Sequence, residues 1–392
     1  MKKLKLFFAC VFLCTATAFA DILVNEENFP DPNFRAWILL QSWGSKGYIT
    51  DAEIANIASI NVFGRNISDL TGINFFANLT TLIVNSNRLS SLDVSDLTSL
   101  ISLSAINNRF SSLDLPELTN LTSLNVTGNQ LTSLNVSNLT NLTSLIIQTN
   151  RLTSLDLSNL TNLTNLDVHN NRLISLDVSN LTNLSRLRVS NNQLTSLDIS
   201  GLTSLEDLYL CNNQLTSIDV SVPTSLEALY LRNNQLTSID VSGLTNLMIL
   251  NVSINQLTSL DLAGLNNLIT IDGSNQKPTL TLAGTDSNYS VEIELNNPTN
   301  LVSGLSYFNG ILTSTSNTIT SSPFTVETGN TRFRLSGTLT LKYTDGTSIP
   351  EINLNRTPVA FYTITGVRLG QKPQSGIFII LYCDGSAERV MR

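Results

Sequence analysis

One period dominates this chain: a leucine recurs every 21 residues over about half of its length. The recurrence has no insertion or deletion and runs through Leu79, Leu100, Leu121, Leu142, Leu163, Leu184, Leu205, Leu226, Leu247 and Leu268. Each unit is close to L-x-x-L-x-V-x-x-N-x-L-T-S-L-D-V-S-x-L-T-N. A fixed period of this length indicates a solenoid, in which each unit buries the open face of its neighbour. The sequence therefore constrains the architecture more tightly than the function.

Within each unit, L-x-x-L-x-V predicts a short strand whose apolar side chains point inward. An asparagine follows at the turn out of that strand, in a column that comprises Asn87, Asn108, Asn129, Asn150, Asn171, Asn192, Asn213, Asn234 and Asn255. Because an asparagine amide can both donate and accept hydrogen bonds, it can satisfy the backbone groups of a buried turn. We therefore interpret this column as a structural ladder.

These units resemble the leucine-rich repeat family, over roughly half of the chain. The strand motif occurs twice in a unit, at 131–136 and again at 142–147. That arrangement is similar to the bacterial 21-residue class with nested half-repeats (the IRREKO type) and to the repeats of internalins. The resemblance implies a leucine-rich repeat solenoid that presents a concave surface to a ligand, with no cofactor.

Five segments are predicted: a secretory signal at 1–20, a helical N-terminal cap at 21–56, the repeat array at 57–275, a β-sandwich at 276–348 and a C-terminal β tail at 349–392. The signal has three lysines, an apolar stretch at 6–13 and a small-residue cleavage site before Asp21. The apolar stretch is too short to span a bilayer. We expect cleavage after Ala20 and a secreted or cell-surface protein, with a lipid anchor at Cys10 or Cys14 as the alternative.

The cap prediction depends on two helix starts. Asp31-Pro32 places proline at the first helical position, and Thr50 with Glu53 has the form of a capping box. Residues 42–53 also have the length of a calcium-binding loop, but Ser42, Gly44 and Lys46 stand where that loop needs oxygen ligands, so no metal is expected. A helical lid would cover the apolar core that the first repeat exposes.

The C-terminal third loses the repeat and alternates as strands do. Strands are predicted at 279–282, 290–295, 307–312 and 338–343, in a sandwich that resembles the immunoglobulin-like domains following the repeats of internalins. Strands at 359–364 and 376–380, a turn at Asp384-Gly385 and a basic end resemble the sorting tail of the type IX secretion route of certain Gram-negative bacteria. The alternative is a last hairpin of the sandwich.

Composition narrows the possible partners. The formal net charge is -8, which becomes about -11 without the three lysines of residues 1–20. Such a chain gives no support for binding nucleic acid or an anionic membrane surface. Two cysteines remain after the signal, Cys211 and Cys383, and they are expected to stay thiols because two distant cysteines do not make a disulfide framework.

Departures from the repeat consensus point to a candidate ligand site. Strand side chains alternate, so the third, fifth and seventh residues of each unit face the concave surface. These positions are mostly serine, threonine, asparagine or isoleucine, except in four units around 165–232, a patch about 15 Å long along the array axis. The candidate ligand-binding residues are Asp167, His169, Arg186, Arg188, Asp207, Tyr209, Tyr230 and Arg232. The alternative is that these charges only neutralise one another across adjacent strands.

Catalysis is not expected from these residues. His169 is the only histidine, and Cys211 lies in the same column two units away, roughly 10 Å distant along the array. A further column is acidic and comprises Asp93, Asp114, Asp156, Asp177, Asp198, Asp219, Asp240 and Asp261, interrupted by Asn135. We interpret it as a series of caps on backbone N–H groups, with a row of bound cations as the alternative.

The sequence thus predicts an exported, non-enzymatic, monomeric binding protein for an extracellular protein or glycan. Two alternatives remain: a structural surface component without a specific ligand, and a polysaccharide-binding accessory protein. Replacement of Tyr209 and Tyr230 by alanine is expected to weaken ligand binding without unfolding the array.

Overall fold

The computed structural model describes residues 21–115 and 118–277, and beyond them 279–285, 288–292, 301–303, 305–308, 311–314, 321–327, 334–343, 361–363, 368–369, 377–381 and 387–391. The predicted signal at 1–20, Cys383 and the Asp384-Gly385 turn lie outside these ranges.

The chain begins with a small module of two helices and one strand pair. Strand β1 (Ile22–Leu23) pairs antiparallel with β2 (Tyr48–Ile49). Helix α1 (Pro32–Leu39) buries Phe34, Trp37 and Ile38. Helix α2 (Asp51–Ala55) follows, with the predicted capping box between Thr50 and Glu53. The buried side chains of this module share one hydrophobic core with the repeats.

Asp31 joins this module to the first repeat. Its Oδ1 accepts the N-terminal amides of α1 from Asn33 and Phe34 at 2.8 and 3.0 Å. Its Oδ2 accepts the backbone N–H and the hydroxyl of Ser68 at 2.8 and 2.9 Å, and the N–H of Asp69 at 3.2 Å. Burial opposes the charged form, but these hydrogen bonds outweigh it and lower the pKa of Asp31. One buried carboxylate therefore fixes both the helix start and its docking.

The repeats form one parallel sheet of eleven strands among the described residues. The first comes from a degenerate repeat, which also contains a 3₁₀ helix (Ile73–Phe75). The strands are β3 (Ser59–Asn61), β4 (Thr81–Ile83), β5 (Ser102–Ser104), β6 (Ser123–Asn125), β7 (Ser144–Ile146), β8 (Asn165–Asp167), β9 (Arg186–Arg188), β10 (Asp207–Tyr209), β11 (Ala228–Tyr230), β12 (Ile249–Asn251) and β13 (Thr270–Asp272).

Each strand is three residues long, and its central side chain faces the core. Leu82, Leu103 and Leu124 are buried at this position, and their flanking residues lie half-exposed on the opposite, concave face. The register advances by 21 residues from strand to strand, so Leu82 pairs with Leu103 and Leu103 with Leu124. Each leucine so buried contributes about 2 kcal/mol relative to an exposed one. The predicted solenoid is confirmed.

The asparagine column forms the predicted ladder. Asn108 Nδ2 donates to the carbonyl of Val84 in the preceding unit at 3.0 Å and to that of Ala105 in its own unit at 3.3 Å. Its Oδ1 accepts the N–H of Leu89 at 3.1 Å. The same pattern continues to Gln276, whose longer amide takes the place of asparagine at the last rung. The sequence pattern did not identify Gln276 as a ladder residue.

The residue before each ladder asparagine adopts left-handed backbone geometry. Asn107, Asn170, Asn191, Asn212 and Asn233 have φ between 52° and 57°. Asparagine and glycine tolerate this region, and Gly128 occupies the same position in its unit. Thr149 and Ile254 are β-branched exceptions at 57° and 54°. Where a unit has two consecutive asparagines, the first therefore accommodates the left-handed backbone and the second makes the ladder hydrogen bonds.

Strands after residue 277 form two further sheets. The six-stranded sheet contains β14 (Thr279–Thr285), β15 (Asn288–Glu292), β16 (Leu305–Phe308), β17 (Ile311–Ser314), β18 (Ser321–Glu327) and β19 (Arg334–Tyr343) in the order β16-β17-β15-β14-β19-β18. The four-stranded sheet contains β20 (Phe361–Thr363), β21 (Arg368–Leu369), β22 (Ile377–Leu381) and β23 (Ala387–Met391) in the order β21-β20-β22-β23.

The prediction of a single strand at 307–312 is wrong. Two antiparallel strands stand there, and Phe308 pairs with Ile311. The intervening Asn309-Gly310 is a dipeptide typical of two-residue hairpins, so the sequence itself contains a signal for this turn. Strand β18 was not predicted. A sandwich of immunoglobulin type at 276–348 and a secretion tail at 349–392 remain predictions.

Among the described residues, no helix has the length and apolar character that crossing a membrane requires.

Candidate functional site

The candidate site lies on the concave face of strands β8 to β11, and in-register pairing arranges it in columns. One column runs through Asn165, Arg186, Asp207 and Ala228. The next runs through Asp167, Arg188, Tyr209 and Tyr230. His169, Ser190, Cys211 and Arg232 each follow their strand by two residues. The structure therefore brings all eight predicted residues onto adjacent rungs.

The central column is a continuous series of contacts. The guanidinium carbon of Arg188 lies 4.8 Å from the centre of the Tyr209 ring. The Tyr209 and Tyr230 rings stack at 4.5 Å between centroids with an interplanar angle of 9°. A cation over an aromatic face contributes about 0.5 to 2 kcal/mol. Ring stacking thereby holds Arg188 in place from one side.

Asp167 occupies the other side of Arg188, but its closest partner is a histidine. Asp167 Oδ1 lies 2.6 Å from Nδ1 of His169 and also accepts the His169 backbone N–H at 3.2 Å. Asp167 Oδ2 lies 3.9 Å from Nη1 of Arg188, which is too long for a hydrogen bond. Both Asp167 and His169 are buried. The carboxylate is therefore oriented chiefly toward the imidazole.

The neighbouring column contains a shorter ion pair. Arg186 Nε donates to Asp207 Oδ2 at 2.8 Å across the pair β9–β10. Burial acts to lower the pKa of Arg186, and the hydrogen bond and charge of Asp207 outweigh that effect and raise it. The expectation of charge neutralisation across adjacent strands thus describes Arg186 well, whereas Arg188 has only the long contact to Asp167.

The two tyrosines are not exposed as the sequence suggested. Tyr209 is 6% exposed and Tyr230 is fully buried, in an apolar cluster with Cys211, Ala228 and Ile249. A residue on the concave face can be buried when it is covered from above, which a strand-alternation argument does not anticipate. The side chains of this patch that stay in contact with solvent are Arg186, Arg188, Asp207 and Arg232.

His169 and Cys211 do not form a nucleophile–base pair in this arrangement. Nδ1 of His169 is engaged with Asp167, and the Cys211 side chain is fully buried in the apolar cluster. Among residues 21–115, 118–277 and the described strands beyond, no group of three His, Cys, Asp or Glu side chains is placed to hold a metal.

The acidic column forms the predicted caps at seven of its eight aspartates. The exception is Asp114, because the residue two positions after it is Pro116, which has no N–H and lies outside the described residues. Asp177 Oδ1 accepts the backbone N–H and the hydroxyl of Ser179 at 3.0 and 2.7 Å. Asn135 makes the same two contacts with Ser137 at 3.1 and 2.8 Å. The backbone donor, followed by the hydroxyl, lowers the pKa of Asp177. The neighbouring Asp198 accepts the backbone N–H of Ser200 in the same way, and this hydrogen bond lowers the pKa of Asp198.

Three models of known repeats match the array. Residues 29–150 match the leucine-rich repeat domain of endo-beta-N-acetylglucosaminidase EndoS. Residues 182–221 match a model of two leucine-rich repeat copies, and residues 225–247 match a single leucine-rich repeat. These matches support a leucine-rich repeat protein. Among curated proteins, no relative matches the chain.

Several solved structures are similar to this chain, one of them with a TM-score above 0.5. YopM from Yersinia enterocolitica is 29% identical with a TM-score of 0.51, over 57% of this chain and 48% of YopM. The leucine-rich repeat protein LIC12759 of Leptospira interrogans is 27% identical with a TM-score of 0.48, over 55% of this chain and 65% of that one. The functional domain of InlJ from Listeria monocytogenes is 22% identical with a TM-score of 0.38, over 84% of this chain and 100% of that one. The chain thus spans about half of YopM.

Proposed function

We propose that this leucine-rich repeat protein is an exported, non-enzymatic binding protein. Its concave surface on strands β8 to β11 would take an extracellular protein ligand. One observation carries the proposal: partly exposed arginines and an aspartate interrupt a concave face that is otherwise bland. Strands β5 and β6, which lie earlier in the array, present only Ser102, Ser104, Ser123 and Asn125 there. A solenoid needs no charge at these positions for its own core.

Arginine is enriched among residues that dominate the energy of protein interfaces. In this patch Arg186, Arg188 and Arg232 are the exposed or half-exposed cations. A glycan ligand would instead favour exposed aromatic rings, and Tyr209 and Tyr230 are buried. These features favour a protein over a polysaccharide as the ligand.

The test is capture of a protein ligand by the chain from residue 21 to residue 392. Biotinylated protein would be incubated with extracellular fluid from the organism's habitat, and retained proteins would be compared between wild type and the double variant Arg186→Ala, Arg188→Ala. A ligand of this site is expected to bind the variant at least ~10-fold more weakly, since two interface arginines are lost.

A matched control is the double variant Arg88→Ala, Arg172→Ala, which removes two exposed arginines from turns outside the concave columns. It should retain full binding. Equal retention of every protein by wild type and by the concave variant would refute the proposed site. A structural component without a specific ligand would give that result.

A further inference from the structure

Among the described residues, the side chain of Arg188 makes no hydrogen bond, unlike that of Arg186. Its Nε is buried without a hydrogen-bond partner, and the described carboxylate nearest to it, Asp167, stands 3.9 Å from Nη1. A guanidinium carries five N–H donors, and leaving buried donors unmet is unfavourable. Arg186, by contrast, donates to Asp207 at 2.8 Å.

The position of Arg188 is nevertheless fixed. The Tyr209 ring packs against its guanidinium at 4.8 Å, and Asp167 is held toward His169 by a contact of 2.6 Å. About 30% of the Arg188 side chain remains exposed, although its Nε is buried. The side chain is therefore preorganised, charged and accessible, which lowers the entropic cost of binding an anion.

We propose that Arg188 is the recognition residue for a carboxylate of the protein ligand, either an acidic side chain or a chain terminus. This inference rests on the proposed function and names the chemistry of the same surface. A carboxylate suits the planar fork of an arginine, and charge-assisted pairs of this kind are shorter and stronger than neutral hydrogen bonds. Asp167 leaves the guanidinium donors available, because its Oδ1 contacts His169 and its Oδ2 stays 3.9 Å from Nη1, beyond hydrogen-bond distance.

The surroundings favour a single carboxylate over a polyanion. Glu206 and Glu227 flank the patch and are exposed, and their backbones are joined directly at 2.8 Å on adjacent rungs. Their charges repel an approaching chain of phosphates or sulfates, while one carboxylate can enter beside Arg188. The formal net charge of -8 acts in the same direction at longer range.

The experiment follows arginine Nε–H signals by NMR in the protein from residue 21 to residue 392. The probe is sodium acetate, added at constant ionic strength against sodium chloride. Assignment of the Arg188 signal comes from its loss in Arg188→Lys. We expect this signal to shift saturably below about 100 mM acetate, as one charge-assisted contact requires. The signal of the exposed Arg172 should change only in proportion to acetate.

A second variant sharpens the test. Asp207→Asn removes the negative partner of Arg186, so the Arg186 signal should become acetate-sensitive in that variant while it is insensitive in wild type. The Asn side chain keeps an acceptor oxygen and similar volume, so the strands should stay paired. An unchanged response of Arg186 would contradict the idea that an unmet guanidinium on this face is what recruits the anion.

Two outcomes would overturn the inference: a linear acetate response of Arg188 equal to that of Arg172, or saturation by sodium sulfate at lower concentration than by acetate. The first removes the site, and the second assigns it to a doubly charged anion. Neither depends on ligand capture. If Arg186→Ala, Arg188→Ala loses the ligand while acetate has no specific effect, the binding function stands and the carboxylate assignment fails.

Discussion

At the scale of the residue, single polar side chains join segments of the chain through hydrogen bonds that the repeat consensus does not specify. Asp31 is the clearest case, because its two oxygens serve different segments of the chain. Oδ1 caps helix α1 and Oδ2 accepts three donors from residues 68–69. Proline at position 32 predicted the helix start, but the partners at 68 and 69 are distant in sequence and required the folded chain.

Replacement of Asp31 by alanine should destabilise the N-terminal module by about 2–3 kcal/mol, from the lost cap and the donors left without an acceptor. Both tryptophans, Trp37 and Trp43, lie in this module, so the fluorescence during urea denaturation reports on it directly. Asp51→Ala, at an exposed position of α2, is the control and should change stability by less than ~0.5 kcal/mol. Equal loss in both variants would contradict the role of Asp31.

Backbone geometry gives a stabilising substitution. Thr149 has φ of 57° and is exposed, and the four units that follow it have asparagine at this position. Thr149→Asn should raise stability by about 0.5–1 kcal/mol, because a β-branched residue is strained in the left-handed region. Thr153→Asn is the control, since Thr153 is also exposed and its φ is not positive. Thermal unfolding followed by circular dichroism would show a higher midpoint for Thr149→Asn alone.

At the scale of the element, the repeat unit is a strand, a turn and a return segment, each with its own polar fixing group. The ladder asparagine joins adjacent units and the outer aspartate caps its own turn. The outer aspartates are exposed, and successive carboxylates are spaced one repeat unit apart. Like charges in this arrangement repel, and the charge of Asp177 acts to raise the pKa of Asp156. The serine donors nevertheless outweigh that repulsion and lower the pKa of Asp156.

These lowered pKa values predict acid sensitivity. The folded state prefers the ionised carboxylates, so their contribution is complete above the unfolded-state value of about 3.9 and is lost as pH falls through the lower folded-state values. The melting temperature should therefore decrease below about pH 4. The triple variant Asp156→Asn, Asp177→Asn, Asp198→Asn should show a smaller decrease, because Asn135 accepts the same hydrogen bonds without a charge. Identical pH profiles for wild type and variant would contradict this account.

At the scale of the whole molecule, the array is a row of interchangeable units with one distinctive region. Units contact their neighbours in constant register, and the strand pairs β5–β6 and β6–β7 have the same offset of 21 residues. Stability in such a chain is approximately a sum over units and their interfaces. Removal of a whole unit should therefore shorten the solenoid without changing its fold.

Deletion of residues 121–141 tests this expectation. The deletion joins Asn120 to Leu142 and restores the consensus Thr-Asn-Leu-Thr-Ser. The shortened protein should fold as a monomer and keep ligand binding, since β6 contributes only polar consensus residues to the concave face. Deletion of residues 163–183 removes Asp167 and His169 and is the matched comparison: it should fold equally well but bind more weakly. Circular dichroism and ligand capture would distinguish the two.

Periodicity by itself determined the solenoid, the ladder asparagines and most of the capping aspartates, because each of these follows from identical short-range spacing repeated many times. Local turn and cap signals determined the helices at Pro32 and Asp51. The Asn309-Gly310 hairpin could have been predicted on the same grounds. These features depend on residues that are near one another in sequence or that are separated by one repeat unit.

Only the tertiary structure decided which concave residues are accessible and what each charge contacts. The sequence placed Asp167, Arg188, Tyr209 and Tyr230 in one column, but it could not show that the rings are buried. Nor could it show that Asp167 turns to His169, or that the buried Nε of Arg188 has no hydrogen-bond partner among the described residues. Burial and pairing depend on side-chain orientation and on what covers the face, and neither is encoded in a period of 21 residues.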